Sequence, residues 1–498
     1  MVGEPIAQVH YEQTVNKTGW ATLSLSTNPD HSDEEQAFAA GFIEGFTTGE
    51  LMQEYWTGYK QYTFDDSQNK QLNAFLDGNF RFMKRKIAES KNSTDTSEKL
   101  YWHHVALVLE QVEGLFAGYL KAMAEKDTLP QLSLIDMFKF QLDGDIEDLS
   151  NKWSPPSFHT MTQFELESFA IFKTKCSAFV KLSHDRSNVF LTHATWDTFQ
   201  NMLRIFKHYR INFKNVPAKL VSFSSSPGWL VSVDDFYITD AGLVITETSN
   251  NIFNLTLYNK VVPETLFYWI RNIVANRLAT SGKEWTQLFA KYNSGTYNNQ
   301  WIVLDINKFV PYAKTSHPDL LYILEQIPGD CKIASVSHIL DSSYWASYNI
   351  PYFPYIYNIS GYPAQFQKYG DFWSYEHCPR ANIFRRDLPA VTDIEGVKSL
   401  IRQNKYQTDP FSGGDACHAV AARCDLNPPN MRAQAFGAID AKVTDVHMAK
   451  LNRAVAQSGP THDTQPVFEW TANWDKTNIH TDQPVRFAFD WVNMAPQL

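Results

Sequence analysis

The chain has 498 residues, 44% of them apolar and 14% aromatic, and a net charge of −10. That length sets a prior of about three domains, or one large sandwich with insertions, and the composition excludes a disordered chain. No basic block could track a phosphate backbone, which argues against nucleic-acid binding, and no apolar run nears the ~20 residues that span a bilayer.

In chain order, Met1-Val2-Gly3-Glu4-Pro5 lacks the charged-then-apolar pattern of a secretory signal, which read literally makes the protein cytosolic. Four Asn-X-Ser/Thr sequons, at Asn16, Asn92, Asn254 and Asn358, point the other way, although chance supplies a few in a chain this long. Residues 34–60 carry Phe38, Phe42 and Phe46 at four-residue spacing, which predicts a helix with the three rings on one core face. Two further helices are predicted over 66–90 and 98–125, the second with Val105, Leu109, Val112, Phe116 and Leu120 as its stripe. The acidic stretch 143–157 ends in Trp153-Ser154-Pro155-Pro156-Ser157, which cannot continue a helix, and reads as an exposed linker extending to about residue 170.

Beyond it the pattern turns to strands. Residues 179–182 and 189–192 flank the turn-like His184-Asp185-Arg186-Ser187 and predict a hairpin. Residues 196–209 read as an amphipathic helix, with Trp196, Phe199, Leu203 and Phe206 on one face. Strands are expected at 229–233, 236–239 and 243–248, helices at 265–278 and 283–292, a strand at 301–304 and an ordered loop over 350–362. Alternating strands and helices suit a layered protein with helices on sheet faces.

The common catalytic signatures are missing: no G-x-S-x-G elbow, zinc helix, C-x-x-C, Walker loop or dinucleotide fingerprint. No metal or cofactor is expected, and His103-His104 reads as a satisfied or solvated pair. Five cysteines make an odd count. Cys417 and Cys424 are close enough to close a small disulfide loop, leaving Cys176 free, but five reduced core cysteines read as well. Cys176 sits at the mouth of an apolar segment and is followed by the small Ser177 and Ala178. A hairpin could return His193 and Trp196 beside it, where a histidine can serve a thiol as base. On spacing alone, a histidine capping the following helix is the simpler reading.

Several runs carry a resemblance. They are Ala39-Ala40-Gly41-Phe42-Ile43-Glu44-Gly45, Cys176-Ser177-Ala178, His193-Ala194-Thr195-Trp196, and Ser225-Ser226-Pro227-Gly228 with Asp234-Asp235-Phe236-Tyr237. The others are Asn293-Ser294-Gly295-Thr296-Tyr297-Asn298-Asn299-Gln300-Trp301, Tyr344-Trp345-Ala346-Ser347-Tyr348-Asn349-Ile350-Pro351, Pro379-Arg380-Ala381 and Ile439-Asp440-Ala441-Lys442-Val443-Thr444. In these runs, in order along nearly the whole chain, it resembles the phospholipase B-like (lamina ancestor-like) family of N-terminal nucleophile hydrolases.

The resemblance implies an α+β fold, an αββα sandwich of two mainly antiparallel sheets flanked by helices, with a mostly helical portion over 1–175 and a catalytic portion over 176–498. It implies cleavage of the Lys175–Cys176 bond, with Cys176 as nucleophile and its new α-amine, of ordinary pKa about 7.7–8.0, as base. His193 and Trp196 would shape the site, Asn349 would donate to the oxyanion, and Arg380 would fix charge there. Family members often have Glu-Thr-Thr where this chain has Glu247-Thr248-Ser249, which puts the active-site hydroxyl on Ser249, without the methyl. The implied substrates are fatty acyl esters of glycerophospholipids. An N-acyl amide hydrolase and a non-catalytic lumenal binding protein are the alternatives, and a homo-oligomer stays open. The family is lysosomal or secreted, so the missing leader is a departure, explained if this is a mature form with an added methionine. Cys417 and Cys424 fit a family disulfide region, which suits an oxidising compartment.

Overall fold

The computed structural model describes residues 4–59, 66–173, 175–232, 234–342 and 344–497. Two sheets dominate it. The larger has nine strands, in the order Ala7–Glu12, Trp20–Thr27, Arg204–Arg210, Leu220–Ser225, Phe236–Thr239, Leu243–Ser249, Asn299–Asp305, Leu321–Ile327 and Asp330–Ser335. The pairing of Trp20–Thr27 with Arg204–Arg210 is parallel and the others are antiparallel. The smaller sheet runs Tyr344–Ser347, Ser177–Leu182, Val189–Thr198, Phe436–Asp445, Ala454–Ser458 and Val492–Met494, all antiparallel.

The strands alternate between two cores, as their period of two requires. Ala178, Val180, Leu182, Val189 and Leu191 of the small sheet meet Phe206, Ile238, Val244, Ile302 and Ile323 of the large one in a shared apolar layer. The opposite face of the small sheet, with Phe179, Phe190, Ala194 and Trp196, packs on helices Gln163–Lys173, Pro379–Asp387 and Ile394–Ile401. The opposite face of the large sheet carries the helices Asp33–Tyr59, Thr96–Glu125, Tyr268–Leu278 and Gly282–Ala290. Helix, sheet, sheet and helix thus follow one another, the expected αββα order.

Asp33–Tyr59 and Thr96–Glu125 pack unusually closely. A Cβ on Gly41 would lie 1.9 Å from the Gln111 carbonyl oxygen, and one on Gly114 would lie 2.1 Å from that of Phe38, so only glycine permits the approach. The buried stripe of the first helix is therefore Ala37, Ala40, Gly41, Glu44, Gly45 and Thr48. Phe38, Phe42 and Phe46 do lie along one face, with successive rings 6.3 Å apart. That face is not the core face expected, for Phe38 is 39% exposed.

Other expectations fail locally. Residues 143–170 are not a linker: Asp143–Trp153 is a helix with Gly144, Asp145 and Leu149 buried, and Gln163–Lys173 begins another. The break is confined to the prolines and their neighbours. Residues 196–209 are not a helix, because the strand runs to Thr198, a single 3-10 turn spans Phe199–Asn201, and a new strand starts at Arg204. His193 consequently caps nothing and lies mid-strand. Residues 229–232 form a loop rather than a strand, and the loop expected at 350–362 contains the helix Pro354–Ile359. Residue 60, the expected end of the first helix, and Val233 lie outside the described residues. The hairpin Ser177–Leu182/Val189–Thr198 forms as expected.

Candidate functional site at the Lys175–Cys176 junction

The junction lies where the small sheet begins. Cys176 immediately precedes the strand Ser177–Leu182 and is 1% exposed. Its φ is 89°, a left-handed conformation that costs a non-glycine residue about 1–3 kcal/mol unless its surroundings enforce it. Those surroundings are specific. The Lys175 N–H donates to Ser249 Oγ at 2.7 Å, and the Lys175 carbonyl accepts from Asn349 Nδ2 at 2.6 Å and from the Ser249 N–H at 3.4 Å. Asn349, itself at φ 68°, sends the same amide to the Ser249 carbonyl at 2.7 Å. Arg380, near the start of Pro379–Asp387, donates to the Cys176 carbonyl at 2.6 Å and to Ser177 Oγ at 3.1 Å. Its guanidinium also donates to Asn349 Oδ1 and stacks 4.2 Å over the Trp196 ring. Cys176, Trp196, Ser249, Asn349 and Arg380, five of the six catalytic candidates from the sequence, are therefore in this one neighbourhood.

Strand alternation explains the division of labour. His193 shares its face with Val189 and Leu191 and looks into the seam between the sheets, whereas Trp196 shares the outer face with Phe190 and Ala194. In register, His193 sits opposite Ala178 on one side and Lys442 on the other. Cys176 Sγ, a His193 ring nitrogen and a Glu247 carboxyl oxygen lie within 4.8 Å of one another, all buried. His193 Nε2 and Glu247 Oε2 have no hydrogen-bond partner among the described residues. Burial, then the nearby Glu247, pushes the Cys176 thiol well above its ordinary pKa. Burial, then Lys442, pushes His193 well below. Burial likewise raises the Glu247 carboxyl, and burial followed by Glu247 raises Asp235. Burial at the junction thus disfavours the thiolate, the imidazolium and the carboxylates alike.

Thiol, imidazole and carboxyl are also a donor set of the zinc kind, and they are the trio here that could hold a metal. The sequence had suggested no such group. A metal needs the thiol and the carboxyl deprotonated, and the burial that raises both works against filling the site.

Sequence reasoning missed the groups behind the junction. Arg204 contacts Asp234 at 2.7 Å and Asp440 at 3.0 Å, and Lys442 Nζ contacts the same pair at 2.8 and 2.6 Å. Burial alone would raise Asp234, but Arg204 and Lys442 more than offset it and hold the carboxyl well below the ordinary range. The available signal was a charge interrupting an apolar strand, as Lys442 does between Ala441 and Val443, and Glu247 after Val244-Ile245.

Besides a cleft lined by Lys175, Ser249 and Asn298, two others flank the junction. One, of about 470 Å³, is lined by Trp196, Tyr348, Asn349, Tyr362, Trp373 and Arg380. The other, of about 990 Å³, is lined by Tyr59, Asp143, Ile146, Phe172, Lys175 and Asp197. Cys417 and Cys424 form a disulfide with Cα atoms 4.8 Å apart, bordering the first cleft, while Cys176, Cys331 and Cys378 are free thiols. Of the four sequons, Asn16, Asn92 and Asn358 are exposed. Asn254 is half-buried, and its amide already donates to the Ile359 carbonyl at 3.1 Å. No helix among the described residues is long and apolar enough to cross a membrane.

The chain is similar to known proteins along nearly its whole length. The family model described as Phospholipase B matches residues 7–494. Phospholipase B-like protein B of Dictyostelium discoideum is 39% identical, over 98% of this chain and 86% of that one. Phospholipase B-like 1 of Rattus norvegicus is 38% identical, over 98% and 87%. Among solved structures, a mutant conjugated bile acid hydrolase from Clostridium perfringens aligns with 64% of this chain and 96% of its own, at TM-score 0.31 and 10% identity.

Proposed function

The chain belongs to the phospholipase B family, and from that premise we propose that it is a hydrolase whose nucleophile, the Cys176 thiol, is released when the chain cuts its own Lys175–Cys176 bond. The observation that carries this reading is the seating of the Lys175 carbonyl, whose oxygen accepts from Asn349 Nδ2 at 2.6 Å directly beside the thiol-bearing residue. A carbonyl oxygen met by a fixed amide donor is placed as an oxyanion must be.

In the uncut chain, Cys176 Sγ attacks the Lys175 carbonyl carbon and the thiol proton passes to His193. The oxyanion forms against Asn349 and the Ser249 N–H. Collapse breaks the C–N bond, the departing nitrogen takes the proton back, and a thioester links Lys175 to Sγ. Water then hydrolyses the thioester, leaving a Lys175 carboxylate, a free Cys176 thiol and a new α-amine. That amine, of ordinary pKa about 7.7–8.0, is the base for subsequent substrates. Each turnover repeats the chemistry on an external acyl carbonyl: Sγ–acyl bond formation, loss of the alcohol or amine, then hydrolysis of the acyl-enzyme. Arg380, about 10 in pKa because burial lowers it, remains a cation and fixes both the Cys176 carbonyl and Asn349.

The aromatic cleft of Trp196, Tyr348, Tyr362 and Trp373 suits the acyl chain of a glycerophospholipid ester, the substrate class the relatives' names carry. An amide substrate is favoured by a separate observation, that the carbonyl seated at the site belongs to a peptide bond. A lysosomal or secreted location is consistent with the Cys417–Cys424 bridge. The test is a mass-spectrometric screen of the purified protein against glycerophospholipid esters and N-acyl amides, with Cys176→Ala as control. Ester turnover lost in the variant supports the phospholipase reading. Turnover of amides alone replaces it with the amidase reading, and no turnover of either leaves a binding protein.

A further inference from the structure

Lys175 is gripped by its backbone, and its side chain is gripped as well. The side chain is 9% exposed, and Nζ lies 3.3 Å from Asp143, 3.5 Å from Asp197 and 3.6 Å from Glu147. Asp143 and Glu147 stand one turn apart on the helix Asp143–Trp153, so both reach the same point. Asp197 comes from the strand of His193 and Trp196. It is preset by the Thr198 N–H at 2.7 Å and the Asn201 amide at 2.9 Å.

Three carboxylates around one ammonium exceed what a structural ion pair needs, and their mutual repulsion opposes folding unless a cation sits among them. Burial would lower the Lys175 ammonium, but Asp143, Asp197 and Glu147 reverse that and hold it charged. The cage also borders the 990 Å³ cleft rather than the closed core. The residue so held is the one whose carbonyl would be attacked.

We propose that Asp143, Glu147 and Asp197 form a cation subsite that recognises the ammonium of residue 175 and so positions the scissile bond for self-cleavage. It rests on the maturation reading above. Ammonium, N–H and carbonyl then fix Lys175 at three points that do not lie on one line, which holds its carbonyl carbon against Cys176 Sγ. Confinement of this kind is a recognised source of rate. The subsite makes residue 175 specificity-determining, and its three carboxylates are positioning residues that touch neither the thiol nor the oxyanion.

The test is a pulse-chase of freshly synthesised full-length chain, following appearance of the two fragments, with folding checked by the melting temperature of each variant in a Cys176→Ala background. Lys175→Met and Lys175→Gln should cleave at least roughly tenfold more slowly, and Lys175→Arg should stay within about threefold of the parent. Asp197→Asn should slow the parent but add nothing to Lys175→Met, since the partner is already gone. If Lys175→Met does not fold, Asp197→Asn and Glu147→Gln decide the question from the other side. Parental rates in Lys175→Met and Lys175→Gln, or Lys175→Arg as slow as Lys175→Met, would overturn the subsite. A parent chain that never cleaves would instead sink the maturation reading, and the subsite with it.

Discussion

Two polar clusters share the seam between the sheets, and they are balanced in opposite ways. Arg204, Lys442, Asp234 and Asp440 pair two cations with two anions, with contacts of 2.6–3.0 Å. Cys176, His193, Glu247 and Asp235 contain no permanent cation, and burial drives all four towards their neutral forms. The first cluster is compensated and has no proton to exchange, so it acts as scaffold. The second is left uncompensated, and a thiol set beside an imidazole and carboxyls supplies the nucleophile, proton acceptor and proton donors that acyl transfer requires. Lys442 borders both: it completes the ion cluster and, opposite His193 in register, helps keep the imidazole neutral.

Breaking the compensated cluster should have the largest effect. Lys442→Met leaves Asp234 and Asp440 sharing Arg204, and loss of one partner from a buried ion group typically costs about 3–5 kcal/mol. Denaturant unfolding in the Cys176→Ala background, where both proteins stay single chains, should show a destabilisation of that order. A change under about 1 kcal/mol would mean the cluster is not stabilising through compensation.

Disarming the junction beside the uncompensated cluster should cost rate instead. Asn349→Ala removes the amide that meets the Lys175 carbonyl, and loss of one such donor typically slows reaction by about 10²–10³. Time courses of fragment appearance measure this, and stability should change less than in Lys442→Met. An unslowed Asn349→Ala would remove the oxyanion role.

The smallest effect separates the carboxyls by pH. Burial raises Asp148 to about 6, Glu325 to about 7 and Asp145 to about 8. Folded pKa values above unfolded ones mean the folded state binds the protons more tightly. Stability from these groups is complete below the ordinary carboxylate range and is lost as pH rises through about 6 to 8. Asp234, held low, loses its contribution only in stronger acid, outside this window. The melting temperature should therefore be higher at pH 5 than at pH 8 by a few °C, on the order of 2–4 °C per kcal/mol for large domains. Asp145→Asn should flatten part of that difference, and a melting temperature rising with pH would refute the assignment.

Much of this was legible from sequence where the signal is local. The hairpin after Cys176 follows from apolar runs around a polar turn, and the helical spacing of 98–125 is regular. The helix misread at 196–209 arose because Trp196, Phe199, Leu203 and Phe206 recur at helical spacing while belonging to a strand, a 3-10 turn, a short connection and a second strand. All four are buried, but in different clusters. The linker misread at 143–157 came from counting acidic residues as solvated. Asp145 is fully buried, bound by the Thr296 hydroxyl, and Asp143 and Glu147 surround Lys175. Cys176, His193, Asn349 and Arg380 were found through runs resembling a family rather than through spacing. The carboxylates around Lys175 lie in no such run. Asp234, Asp440 and Lys442 lie in two of them, but their assembly with Arg204 was not legible, because the partners lie tens to hundreds of residues apart and meet only once both sheets are stacked.

The central claim is that Cys176 is a nucleophile made available by its own chemistry, and the mass of the purified protein tests it most directly. Intact-mass measurement of the parent after incubation should give two chains, the second beginning at Cys176, while Cys176→Ala should give one uncut chain. A parent that remains a single chain, or a Cys176→Ala protein cut at the same bond, would contradict it.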